Sequence, residues 1–224
     1  MRCDQGHEHE GLDAALLQHA VGFFEVEQSH SILKHLPIDL RPVVEFAYLT
    51  GWRVGEILGL EWRNVDFRAG EVRLDPGATK NGEARTFPFS VYPPLGELLK
   101  RQRERTVAVE KTTKRIVSRV FHRGGRSILD FRGSWQKACD AAGVRGRLVH
   151  DFRRTAVRNL ERAGVPRSVA MKLTGHLTES IYRRYAIVSP ADLKAGVEKL
   201  AKLHVEQTEP AKVVVVLGDR KKRT

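Results

Sequence analysis

The apolar residues of this 224-residue chain follow a helical period over most of its length, but between Val65 and Phe89 they do not. In "NVDFRAGEVRLDPGATKNGEARTFPFS" the pairs Val65 and Phe67, Val72 and Leu74, and Phe87 and Phe89 alternate with polar residues, the period of a half-buried strand. The breaks between them, "AG" and "KNGE", carry turn residues. The fold must therefore place three short antiparallel strands inside an otherwise helical chain. This predicts an α+β class, mainly helical, with one small antiparallel three-stranded sheet. Lys80 falls in the second turn, at the tip of a hairpin.

Helices are expected on both sides of that insertion. "SHSILKHLP" reads as a short helix ended by Pro37, and "IDLRPVVEFAYLTG" puts Val43, Val44, Phe46, Ala47 and Leu49 at helical spacing before a capping Gly51. In "WRVGEILGLEW" Val54, Ile57 and Leu58 face inward, while Arg53 and Glu56, three apart, share another face. The segment from Pro93 to about Thr113 starts as a helix and then loses its pattern in a charged run, read as a solvated face. A Gly-Gly turn at Gly124 and Gly125 precedes a helix carrying Phe131, Trp135, Ala138 and Ala142. Residues 1–21 are expected to be a disordered leader, 22–205 the folded domain, and 206–224 a basic tail in which Val213 to Val216 is the longest apolar run.

Lys and Arg number 39 against 27 acidic residues, a formal charge of +12, which points to a polyanion and first of all to nucleic acid. Cys3 and Cys139 make no disulfide framework, so a reducing compartment is the default. Cys3, His7 and His9 lie close together, yet no second ligand pair follows at structural-zinc spacing, and no metal is expected. No membrane span and no secretory signal are legible, so the expected location is the cytoplasm.

The chemistry concentrates in "HDFRRTAVRNLERAGVPRSVAMKLTGHLTESIYRRYAIVS". Phe152, Ala156 and Leu160 make a buried stripe, which leaves His150 and Arg153 together on a neighbouring face. Gly164 and Gly175 close two successive helices, so His176 sits on a turn just past a helix end. Tyr182 and Tyr185 follow. Cutting a phosphodiester calls for cations that grip the non-bridging oxygens, an acid for the leaving oxygen and a hydroxyl nucleophile. Arginine forks, a histidine, a hairpin lysine and a tyrosine are candidates for those roles.

Four separated motifs, "TGWRVGEILGLEWRNVDF", "TKNGEARTFPF", "HDFRRTA" and "TGH" with a tyrosine nine residues later, together resemble the catalytic domain of tyrosine recombinases of the phage-integrase type, over about Gly22 to Leu203. The resemblance implies catalytic roles for Arg53, Lys80, His150, Arg153, His176 and Tyr185, with Glu56 bracing Arg53. Tyr185 is the implied nucleophile and Tyr182 the runner-up; Lys80 is the implied general acid; Arg154 competes with Arg153 for the second arginine. Strand cleavage and rejoining through a 3′-phosphotyrosyl link would then need neither metal nor small-molecule cofactor. The implied partners are double-stranded DNA and further copies of the chain, assembled as a tetramer that exchanges C-terminal segments, as in the integration of mobile elements. Members of the family usually carry an N-terminal core-binding domain, whose lack here suggests a truncated form. The competing reading is a non-catalytic regulator that binds DNA through "DFRRTAVRNLERAGVPRSVAMKLTG" as a basic helix-turn-helix.

Overall fold

Where the sequence alternates, three strands form. The computed structural model describes residues 22–77, 82, 84–183 and 190–208, so the leader and the Val213–Val216 run lie outside the described residues. Strands β1 (Val65–Asp66), β2 (Glu71–Leu74) and β3 (Arg85–Pro88) make one antiparallel sheet in sequence order. Its register sets Val65 against Val72, Val72 against Phe87 and Leu74 against Arg85. The first turn is fixed by Asp66 Oδ1, which accepts from the amides of Arg68 and Ala69 at 2.9 Å each.

Ahead of the sheet come α1 (Val26–His35), α2 (Arg41–Thr50) and α3 (Val54–Gly59). Helix α2 starts with a proline in its first turn, where no intrahelical donor is lost, and buries Val43, Val44, Phe46 and Ala47. It stops at Gly51, whose φ of 68° is left-handed; a Cβ there would also lie 2.7 Å from that of Ala156.

After the sheet, α4 (Pro93–Thr113) departs from the sequence reading, because it stays helical through the charged run. The reason is polar: its buried face continues with Gln102, whose amide donates to the Val120 carbonyl at 2.7 Å, and with Thr106, whose hydroxyl lies 3.0 Å from His122 Nε2. Apolar periodicity cannot register a helix face that is buried through hydrogen bonds. A second hairpin, β4 (His122–Arg123) and β5 (Arg126–Ser127), turns at Gly124 and Gly125.

Helices α5 (Arg132–Ala141), α6 (Asp151–Arg162), α7 (Arg167–Thr174) and α8 (Glu179–Arg183) follow. The core is aromatic where α6 enters it: Phe152 stacks on Phe24 with centroids 4.3 Å apart, and Trp135 meets both rings edge-on. Burying a ring of this size contributes about 2–3 kcal/mol. Arg158 ties the chain entry to α6 by donating to the Phe24 carbonyl at 2.9 Å and to Glu25 at 2.6 Å. The chain divides into two compact units, residues 1–187 and 188–224. The second contains α9 (Pro190–Thr208), on which Leu193, Val197, Leu200 and Leu203 form an exposed stripe at helical spacing. Among the described residues no helix is long and apolar enough to cross a membrane.

Candidate active site

The site begins at the first turn of α3. Arg53 caps that helix in extended backbone, and Glu56 three residues on reaches back: Oε2 accepts from the Arg53 amide at 3.0 Å and Oε1 from its Nη1 at 2.9 Å. A second guanidinium closes on the same carboxylate, with Arg85 Nη1 donating to Glu56 Oε2 at 3.1 Å. Burial alone would raise the Glu56 carboxyl, but the Arg85 charge, the Arg53 amide and the two guanidinium hydrogen bonds outweigh it and hold the pKa below the usual carboxylate value. Arg53 keeps 26% of its side chain exposed while Arg85 keeps 5%.

Sequence reasoning did not single out Arg85. The signal was present in β3, because alternation puts residue 85 in phase with Phe87, on the side facing the core. An arginine written in phase with buried phenylalanines must find an anion inside.

The second half of the site is built on α6. His150 precedes its first residue and is exposed. Partial desolvation first, and then the Arg153 and Arg154 charges, lower its pKa. Arg153 turns the other way and is 2% exposed. Its Nη1 donates to the carbonyls of Gly51, at 2.8 Å, and Thr174; its Nη2 donates to Gly175 at 3.2 Å. These oxygens belong to the C-terminal ends of α2 and α7, where carbonyls lack helical partners and the helix dipole favours a cation. Arg153 thus pins two helix ends to α6.

His176 follows the left-handed Gly175 that ends α7. Its Nε2 accepts from Arg153 Nε at 3.2 Å, so the ring proton is on Nδ1, which donates to Thr174 Oγ1 at 2.7 Å; that hydroxyl in turn donates to the Ala170 carbonyl. Burial, then the charges of Arg153, Arg53, Arg85 and His150, push the His176 pKa down to about 3, and the ring is neutral near pH 7. Tyr182 meets this ring edge-on, with centroids 5.3 Å apart, and is fully buried. Burial first, and the Glu161 carboxylate second, raise the Tyr182 phenol well above its ordinary value.

Arg53, Glu56, His150, Arg153 and His176 are therefore one cluster, close enough for their charges to act on one another. Arg53 and His150 face outward, and Arg153 and His176 lie beneath them, because the helix ends at Gly51 and Gly175 draw the Arg153 guanidinium inward. Lys80 and Tyr185 lie outside the described residues. Tyr182, the other tyrosine considered, has its hydroxyl sealed in the core. A cavity of about 940 Å³ has Val54, Leu58, Phe131, Trp135 and His150 among its lining residues. Among the described residues no three His, Cys, Asp or Glu converge on a possible metal position, and Cys3, His7 and His9 lie outside them.

Residues 19–191 match the model of the phage integrase family. An integrase of Salmonella phage P22 is 26% identical over 184 residues, which cover 77% of this chain and 45% of the phage protein. A protein described as a XerC-like tyrosine recombinase, from Caldanaerobacter subterraneus subsp. tengcongensis, is 30% identical over 196 residues, covering 74% of this chain and 50% of its own. The chain thus spans about half the length of these curated relatives. Among solved structures, a XerA recombinase superimposes with a TM-score of 0.62 at 14% identity, over 84% of this chain and 66% of the other. A lambda integrase dimer bound to a COC′ core site gives a TM-score of 0.58 at 19% identity, over 74% of this chain and 48% of the other. At such identities the likeness carries the fold: a mainly helical catalytic domain with a small antiparallel sheet.

Proposed function

Since the chain belongs to the phage integrase family, we propose that it cleaves and rejoins DNA strands as a tyrosine-type site-specific recombinase. The observation that carries this reading is the convergence of Arg53, His150, Arg153 and His176, from three separate stretches of sequence, on one basic cluster braced by Glu56. A phosphodiester under attack gathers negative charge on its non-bridging oxygens, and fixed cationic donors stabilise that charge more than the ground state. In this reading Arg53 and His150 meet the phosphate from the open side. Arg153 supplies positive charge from beneath and orients His176.

Tyr185 passes its phenolic proton to His150, attacks the phosphorus, forms a 3′-phosphotyrosyl bond and displaces the 5′ oxygen, which takes a proton from Lys80. The phosphoester bond energy stays in the protein linkage, so a second strand's 5′-OH reverses the step without a nucleotide cofactor. The proposed partners are double-stranded DNA in the cytoplasm and three further copies of the chain. The exposed stripe of Leu193, Val197, Leu200 and Leu203 is the segment proposed to dock on a neighbouring protomer.

The test is a nicked duplex that traps the covalent intermediate. Wild-type protein should give a denaturant-resistant adduct that survives EDTA, and Tyr185→Phe should give none. Arg53→Ala should slow its formation by about two to three orders of magnitude. DNA affinity without any adduct would instead return the chain to a DNA-binding module.

A further inference from the structure

Arg85 lies outside the cluster assigned to chemistry, and its burial demands an explanation. An arginine side chain 5% exposed has lost most of its hydration, which is unfavourable unless partners compensate. Three partners surround it. Two of its nitrogens reach the two oxygens of Glu56, at 3.1 and 3.5 Å. Its guanidinium carbon stands 5.3 Å from the centre of the Trp52 ring, within cation–π range. It lies so close to Gly175 that a Cβ at that position would overlap the guanidinium.

Each partner adjoins a residue of the cluster. Trp52 precedes Arg53 in the chain, Glu56 holds both the Arg53 amide and its side chain, and Gly175 precedes His176. Arg85 also opens β3 and pairs with Leu74 at the end of β2, at the base of the hairpin. One buried fork therefore touches the support of the first arginine, the turn that carries the histidine and the base of the hairpin.

We propose that Arg85 is a positioning residue, which sets Arg53 through Glu56 and His176 through Gly175 in register with the hairpin. It contacts neither DNA nor the reacting phosphate. The assignment rests on the recombinase reading for its catalytic consequence and on the contacts alone for its mechanical one. Lysine cannot replace it fully, because an ammonium is a single point where the fork engages both carboxylate oxygens.

The test compares Arg85→Met and Arg85→Lys with the wild type in two arms. In the first, adduct formation on the nicked duplex should slow by about ten- to a hundredfold in Arg85→Met, the scale of a small misplacement of catalytic groups, with a smaller loss in Arg85→Lys. Duplex affinity should stay within about twofold and its salt slope unchanged, whereas losing a phosphate contact would reduce the slope by about 1. In the second arm, amide hydrogen exchange of the unbound protein should accelerate at residues 53–57 and 174–177, beyond any change in the β2–β3 pair that carries residue 85. If Arg85→Met does not fold, Arg85→Lys carries both arms. Wild-type cleavage rates, a loss of affinity in step with the rate, or unchanged exchange at those two turns would each overturn the proposal. A wild-type chain that forms no adduct would refute the recombinase reading, and the exchange arm would still decide whether Arg85 holds the two turns.

Discussion

His176 illustrates how far a single residue can be read. Its place on a turn after a helix was legible from "KLTGH", because glycine closes the helix and leaves the next side chain on fixed backbone. Its direction was not, since that depends on where the helix ends at Gly51 and Gly175 meet in space and draw Arg153 between them. The consequence is a pH dependence with a definite sign. Folded His176 titrates near 3, against an ordinary value of about 6.5 in the unfolded chain. Between those values the unfolded state binds the extra proton, so stability is complete above about pH 6.5 and falls as the pH drops. The slope from this group is at most about 1.4 kcal/mol per pH unit. Urea midpoints between pH 7 and 5 should fall less steeply in His176→Gln than in the wild type. His122 and His150, also lowered, keep the variant's slope above zero. Tyr182 gives the opposite kind of prediction. Its buried hydroxyl lies near the Glu161 carboxylate but without good hydrogen-bond geometry, so removing it costs about 1 kcal/mol or less. Tyr182→Phe should form adduct at the wild-type rate and unfold within about 1 kcal/mol of it, and abolished trapping would move the nucleophile from Tyr185 to Tyr182.

Element by element, what the sequence made legible depended on whether burial was apolar. The strands of the small sheet, α2 with its Gly51 stop and α7 with its Gly175 stop were readable because hydrophobic period and glycine both marked them. The far half of α4 was not, because Gln102 and Thr106 are buried through hydrogen bonds. Arg85 was overlooked for the same reason, although its strand was found. The glycine stops also carry a mechanical prediction. Gly51 is left-handed at φ 68°, and a Cβ there would stand 2.7 Å from that of Ala156, on the helix that holds Arg153. Gly51→Ala should therefore destabilise by about 1–3 kcal/mol, from backbone strain plus the clash. In Gly51→Ala/Ala156→Gly the clash disappears and the strain remains. Denaturant unfolding should show the double variant less stable than Ala156→Gly alone by about 1 kcal/mol. Equal stability would mean that the left-handed turn imposes nothing on residue 51.

Taken whole, the molecule carries a surplus of +12, and the structure shows how that surplus survives folding. Several arginines are spent on internal anions or surface pairs, among them Arg85 on Glu56, Arg158 on Glu25, Arg101 on Glu45 and Arg167 on Glu161 and Glu179. With 39 basic against 27 acidic groups, such pairing still leaves cations in excess to meet a polyanion. On the proposed reading, binding through that excess would release counterions from the duplex, and affinity should fall with salt in proportion to the phosphates engaged. If about six are engaged, duplex affinity should drop by about a thousandfold between 50 and 200 mM salt, whatever the sequence of the duplex. Within that response the two arginines on Glu56 should part company. Arg53, one-quarter exposed, should lower the slope by about 1 when replaced by alanine, because a phosphate contact is lost. Arg85, sealed from solvent, should leave the slope unchanged although both residues share one carboxylate. Identical slopes for Arg53→Ala and the wild type would mean that the outward arginine does not reach DNA. The cluster would then be an internal brace, and the phosphate grip would have to lie elsewhere on the surface.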